Sequence, residues 1–131
     1  KKKIRYLYCL SKRRNLKGQQ YYQFINNFKI SIATPGNIGY IVNKYFEIPG
    51  SNTLLFAYNE GLEKIMEELG FKDNINYIGF NSTNFEEKSK YLLQLPDKQI
   101  NKINNAGQNL IITKHLLSNR ITQINEIISN L

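Results

Sequence analysis

Thr53 to Tyr58 reads Thr-Leu-Leu-Phe-Ala-Tyr, an almost unbroken apolar run where a half-exposed strand would alternate. Such a run predicts a parallel strand covered on both faces. Lys29 to Thr34 is a β-branched strand candidate, Ile75 to Phe80 another, and Ile4 to Leu10 a fourth near the start. Between them the apolar spacing turns helical. Gln19 to Phe28 carries aromatics at 21, 22, 24 and 28, which gives a helix with one apolar face. Pro35-Gly36-Asn37 must be a turn, and a helix is expected from about Ile38 to Glu47, ended by Pro49-Gly50. A helix from Glu60 to Leu69 ends at Gly70, and Asn81-Ser82-Thr83-Asn84 offers N-caps for another beginning near Phe85. Beyond it the chain reads as helical to Leu131, with apolar residues at 100, 103, 110, 111 and 117, then at 121, 124, 127, 128 and 131. That last stripe should dock first on this domain and then cross to another. Strands alternating with helices imply crossover connections. The expected class is α/β and Rossmann-like, with a mostly parallel sheet of about four strands flanked by helices and a helical C-terminus.

At 131 residues the chain can build one domain and not comfortably two, and no repeat or Gly/Ser linker divides it. One domain over residues 1–131 is expected. The formal charge of +8 is unevenly placed: the first seventeen residues hold eight of the eighteen basic side chains and no acid. The remainder is balanced, so the excess is an N-terminal arm. An arm of this kind attracts nucleic acid, anionic lipid or a substrate diphosphate, and charge alone does not choose. A solvated terminus is the plainer explanation. The one cysteine, Cys9, excludes an intramolecular disulfide and makes the cytoplasm the expected compartment, with the arm allowing peripheral contact at an anionic membrane. Cys9 lies in an apolar run, as a buried small hydrophobe does. No apolar stretch is long enough to cross a bilayer.

Ligands of open parallel sheets bind beyond the carboxyl ends of the strands. After the strand at 29–34, Gly36, Asn37 and Gly39 let backbone approach a ligand, and the following helix would offer unpaired N–H groups to a diphosphate. Equally, Pro-Gly-Asn is a tight turn and Gly39 a packing contact. Glu47 is the first acid in the chain and stands just before Pro49-Gly50 and the buried strand, where one carboxylate can meet a ribose. A surface glutamate paired with Lys44 is the bland alternative. Lys44, one turn earlier, could reach a phosphate, or simply be solvated. Asn59, Glu60 and Gly61 follow the buried strand and would line a pocket mouth. One His, one Cys and scattered carboxylates assemble no metal site by spacing.

Lys44-Tyr45-Phe46-Glu47-Ile48-Pro49-Gly50, the strand after it, Phe85-Glu86-Glu87-Lys88, Ala106-Gly107, His115 and Arg120 form an ordered series. From about Tyr21 to Arg120 it resembles the C-terminal segment of group 1 glycosyltransferases of the GT-B type, in the subclass similar to spore-maturation proteins. The sequence departs from the family pattern at Lys44, where Arg is preferred, and at Leu116 and Leu117, where Thr and Tyr are. Gly39 stands where many members carry a second Glu, which leaves the stereochemistry of transfer open. The resemblance implies a nucleotide-sugar donor, with Glu47 accepting hydrogen bonds from its ribose hydroxyls. It also implies no cofactor or bound divalent ion, and a glycan, lipid or protein acceptor held by a missing N-terminal domain. His115 falls on the family's closing His, while Arg120 should dock the terminal helix. The catalytic base is expected outside these residues, so the chain alone should be inactive. Two other classes stay open: a basic nucleic-acid-binding module using Tyr6, Tyr8, Tyr21 and Tyr22 as stacking rings, and a non-catalytic relic of the glycosyltransferase fold.

Overall fold

The computed structural model of the chain describes residues 16–36 and 39–131. Within them β1 (Ile30–Ala33), β2 (Leu54–Tyr58) and β3 (Ile78–Phe80) form a parallel sheet in the order β1-β2-β3. Ile30 pairs with Leu54 and Ala33 with Ala57 on one side of β2, while Phe56 pairs with Ile78 and Tyr58 with Phe80 on the other. This is the mixed α/β, Rossmann-like arrangement expected, with three strands among the described residues instead of about four. The strand candidate at 4–10 lies outside the described residues.

β2 is central among these strands and explains why its sequence is apolar throughout. Leu55 and Ala57 point into one core with Tyr45, Ile48, Met66 and Leu110; Leu54 and Phe56 point into a second with Ile78, Phe80, Ile100 and Ile103. Alternation of direction along a strand thus requires apolar residues at every position. β1 is less covered, and Ile32 remains half exposed.

The helices are α1 (Gln19–Asn26), α2 (Lys44–Gly50), α3 (Glu63–Glu68), α4 (Phe85–Gln94), α5 (Asp97–Lys114) and α6 (Leu117–Ser129). α5 buries Ile100 and Ile103 in one core and Leu110 and Ile111 in the other, so a single helix serves both faces of the sheet. It is tightly packed at Gly107, where an added Cβ would stand 2.6 Å from the Asn76 carbonyl oxygen and 3.2 Å from the Pro49 Cβ. No helix among the described residues is long and apolar enough to cross a membrane.

Four expectations are corrected. The helix expected at 38–47 is instead seven residues, Lys44–Gly50. Gly39 takes φ +68, which a right-handed helix does not allow, and Pro49 lies inside the helix with its ring buried. The turn out of α2 comes three residues later, at Asn52 with φ 54. β3 starts at Ile78 and not at 75, because Asn74 has φ 61 and the Asn76 side chain bonds Gly70 O and Lys72 N. α3 begins at Glu63 and not at 60, after a turn closed by Leu62 N to Asn59 O at 2.8 Å. The apolar stripe of α6 does not dock on this domain: the helix has no buried residue, and Leu117 is 76% exposed. Leu116 has an extended backbone, φ −70 and ψ 156, so the chain changes direction there and carries α6 off the body.

Candidate functional site

Because the three strands are parallel, their carboxyl ends share one edge, and the segments at 34–36, 59–62 and 81–84 leave from it. Beyond β1, Gly39 N donates to Gly36 O at 2.9 Å and closes a turn. Gly36 lies under the Tyr40 ring, 3.0 Å from where a Cβ would be, whereas Gly39 has open space and a φ that suits glycine. Asn37 lies outside the described residues. The turn therefore uses the Gly39 amide itself.

α2 follows this loop. Its first-turn amides were expected to be unpaired, but Tyr45 N bonds Val42 O at 3.0 Å, and Phe46 N and Glu47 N both bond Asn43 O at 2.9 Å. A tight entry turn satisfies them locally, so they form no anion cradle. The side chains of α2 divide by face. At 3.6 residues per turn Glu47 stands about 200° around the helix from Tyr45. Tyr45 faces the sheet, fully buried, and its hydroxyl donates to the carbonyl of Tyr58, the last residue of β2, at 2.6 Å. Glu47 faces α1, half-buried, where its Oε2 accepts the Tyr21 hydroxyl at 3.0 Å. Lys44 is exposed.

The loop after β2 is organised by Glu60. Its Oε2 accepts the Tyr58 hydroxyl at 2.8 Å, Ser82 N at 3.1 Å and the Ser82 hydroxyl at 2.7 Å. These donors, with Ser82 foremost, hold the Glu60 carboxyl below the usual carboxylate range, and the same bond pushes the Tyr58 phenol up. Glu60 is thus a fixed anion tying the loop of β2 to that of β3. Asn59 N bonds Phe80 O at 2.9 Å, and its Nδ2 donates to the Tyr77 hydroxyl at 3.3 Å. Gly61 has φ +76 with nothing near it. Burial, with the Tyr77 and Tyr58 hydroxyls nearby, pushes the Tyr45 phenol up to about 12.

The candidates thus form two groups. Asn59, Glu60 and Gly61 come together with Ser82; Lys44 and Glu47 stand on α2 beside α1; the Tyr45–Tyr58 bond connects them. Tyr21, Tyr45, Tyr77 and Ser82 were not expected to bond these groups, although Tyr21 stood out as a ring and Ser82 as a cap. Ser82 was findable, since its loop leaves the same edge as the other two. Its neighbours bond each other and not the first amides of α4, so the expected side-chain cap is not formed: Asn81 Oδ1 accepts Asn84 N at 2.9 Å while Asn84 Oδ1 accepts Asn81 N at 2.8 Å.

His115 and Arg120 lie away from this edge, at the junction of α5 and α6. His115 Nε2 bonds Leu69 O at 2.8 Å and Arg120 Nη2 bonds His115 Nδ1 at 2.9 Å. Arg120 does dock the start of the terminal helix. Of the rings weighed for nucleic acid, Tyr6 and Tyr8 lie outside the described residues and Tyr21 is occupied by Glu47, which leaves Tyr22 exposed. Among the described residues no group of three or more His, Cys, Asp or Glu is placed to hold a metal ion.

No curated protein and no solved structure matches this sequence. The glycosyl transferase-like family, however, matches residues 5–126, a span that takes in all three strands, both candidate groups and the His115–Arg120 junction, and the chain belongs to that family.

Proposed function

We propose that the chain is the donor-binding segment of a GT-B glycosyltransferase, holding the nucleotide part of an activated sugar at the carboxyl edge of its sheet. The observation that carries this reading is Glu47, in the Phe-Glu-x-Pro stretch of a glycosyl transferase-like chain, with its carboxylate oriented by the Tyr21 hydroxyl. An ionised carboxylate takes two vicinal hydroxyls well, and a ribose supplies them. Lys44, one turn away and exposed, would meet a phosphate, while the turn at Gly36, Asn37 and Gly39 and the loop of Asn59, Glu60 and Gly61 would border the nucleotide. The donor diphosphate would rely on Lys44 and loop amides, because those of the α2 entry turn are spent. Glu60 would border this site as a second, preset acceptor for a sugar or ribose hydroxyl.

The ordered series from Lys44 to Arg120 favours the subclass similar to spore-maturation proteins. In this reading the acceptor, whether glycan, lipid or protein, and the catalytic base come from an N-terminal domain facing the same edge. The protein works in the cytoplasm, and the basic arm is available to an anionic membrane. Isothermal titration calorimetry with UDP and GDP tests the assignment, with Glu47→Ala beside the parent protein. Loss of a charge-assisted bond is expected to cost about 1.5 to 3 kcal/mol, roughly tenfold to a hundredfold in affinity. Equal affinities would remove Glu47 from the site.

A further inference from the structure

His115 is the single histidine of the chain and sits where three helices meet. Leu69 O, at the end of α3, can only accept, so the Nε2 beside it must carry the proton. The Arg120 guanidinium, in the first turn of α6, can only donate, so Nδ1 must be bare. The two partners together select the neutral Nε2–H tautomer. The ring is held on the body by Phe71, stacked at 6.2 Å, and by Phe46 of α2 at 5.1 Å. α6 has no comparable anchor. It buries no side chain, and its other polar holds are short-range: Leu116 N to Asn119 Oδ1 at 2.9 Å and Asn119 Nδ2 to Thr113 O at 3.1 Å.

We propose that His115 is a proton-sensitive latch that fixes the position of α6 while neutral and releases it on protonation. A proton added at Nδ1 faces the Arg120 N–H groups, so an acceptor becomes a second donor and a second cation. The bond to Leu69 O survives that change. The break therefore falls on the α6 side, and the ring stays with the body. The cleft of about 520 Å³ around the junction presents Glu68 from α3, Lys114 from α5, and Arg120 and Glu126 from α6. α2 contributes the uncharged Phe46. Burial, then Arg120 and Lys114, hold the imidazole below its ordinary value despite the Leu69 bond, which sets the release on the acid side of about pH 6.5. The position of α6 decides which way its exposed row of Ile121, Ile124 and Ile128 points, so the latch orients an apolar face.

The test is an NMR titration of the full chain, in which the sole imidazole gives one spin system. The expected result is the Nε2–H tautomer above pH 6.5, a ring midpoint below 6.5, and backbone amides of residues 117–129 shifting with that same midpoint while those of β2 stay still. Arg120→Gln keeps a donor without the charge. It should raise the ring midpoint and uncouple the α6 amides from it. A dominant Nδ1–H tautomer, α6 amides indifferent to ring protonation, or unchanged coupling in Arg120→Gln would each overturn the latch.

Discussion

Tyr45 shows how much a single side chain contributes to the edge. Its ring fills the core against β2 and its hydroxyl satisfies the Tyr58 carbonyl, where the strand gives way to the loop of Asn59 and Glu60. Tyr45→Phe removes the donor and leaves that carbonyl short of a partner, so a loss of about 1 to 3 kcal/mol is expected in chemical denaturation. The phenol is pushed up to about 12 because burial disfavours its anion. The group's contribution is therefore complete below pH 10 and lost as pH rises through about 12; Tyr45→Phe should flatten this alkaline decline. Glu60 has the opposite sign. Its carboxyl is held down chiefly by Ser82, so its contribution is present above the ordinary carboxylate range and lost as pH falls through the lowered value. Ser82→Ala should move the Glu60 midpoint upward in a carbonyl-detected NMR titration, and an unmoved midpoint would deny Ser82 that role. At this scale the local pattern showed only an acid before Pro-Gly and a buried strand, and it took the family resemblance to single out Glu47. Tyr21 and Tyr45 were not legible, because each acts through a partner 26 or 13 residues away, and apolar periodicity reports only that a ring is buried.

The elements were legible wherever burial on both sides left no alternative. β2 could be recognised because each of its five residues, Leu54 to Tyr58, lies in a core or packs against one. α2 was misplaced because Ile38, Ile41 and Val42 read in the sequence as a helical face, whereas Gly39 is left-handed and Pro49 lies buried inside the helix. Gly107 makes that packing testable. Gly→Ala in a helix interior gains about 1 kcal/mol of propensity. Here the new Cβ would press on a backbone oxygen at 2.6 Å that cannot swing aside, and overpacking costs about 1 to 3 kcal/mol. The steric term wins, so Gly107→Ala should lower the denaturation midpoint. Gly50→Ala is the control, because its Cβ meets only Ile111 Cγ2 at an ordinary 3.5 Å. A midpoint for Gly107→Ala at or above that of Gly50→Ala would contradict the close approach of α5. The stripe of α6 was legible as a stripe, but its docking was not, because periodicity tells that a face is apolar and not what covers it.

At the scale of the whole molecule, two cores share one central strand, and among the described residues three loops leave a single edge of the sheet. Transfer needs an acceptor and a base opposite the donor, and such placement accounts for roughly 7 to 11 kcal/mol of barrier lowering. The 131-residue chain alone is accordingly expected to show no sugar transfer to glycan, lipid or protein acceptors. Robust turnover by it would place the complete site within these residues. The central claim is that a nucleotide binds at the carboxyl edge through Glu47, and amide chemical-shift mapping with UDP and GDP tests it most directly. The account predicts saturable shifts clustered at Gly36, Gly39, Lys44, Glu47 and residues 59–61, lost in Glu47→Ala. No perturbation by either nucleotide, or one confined to the cleft around His115, would contradict it.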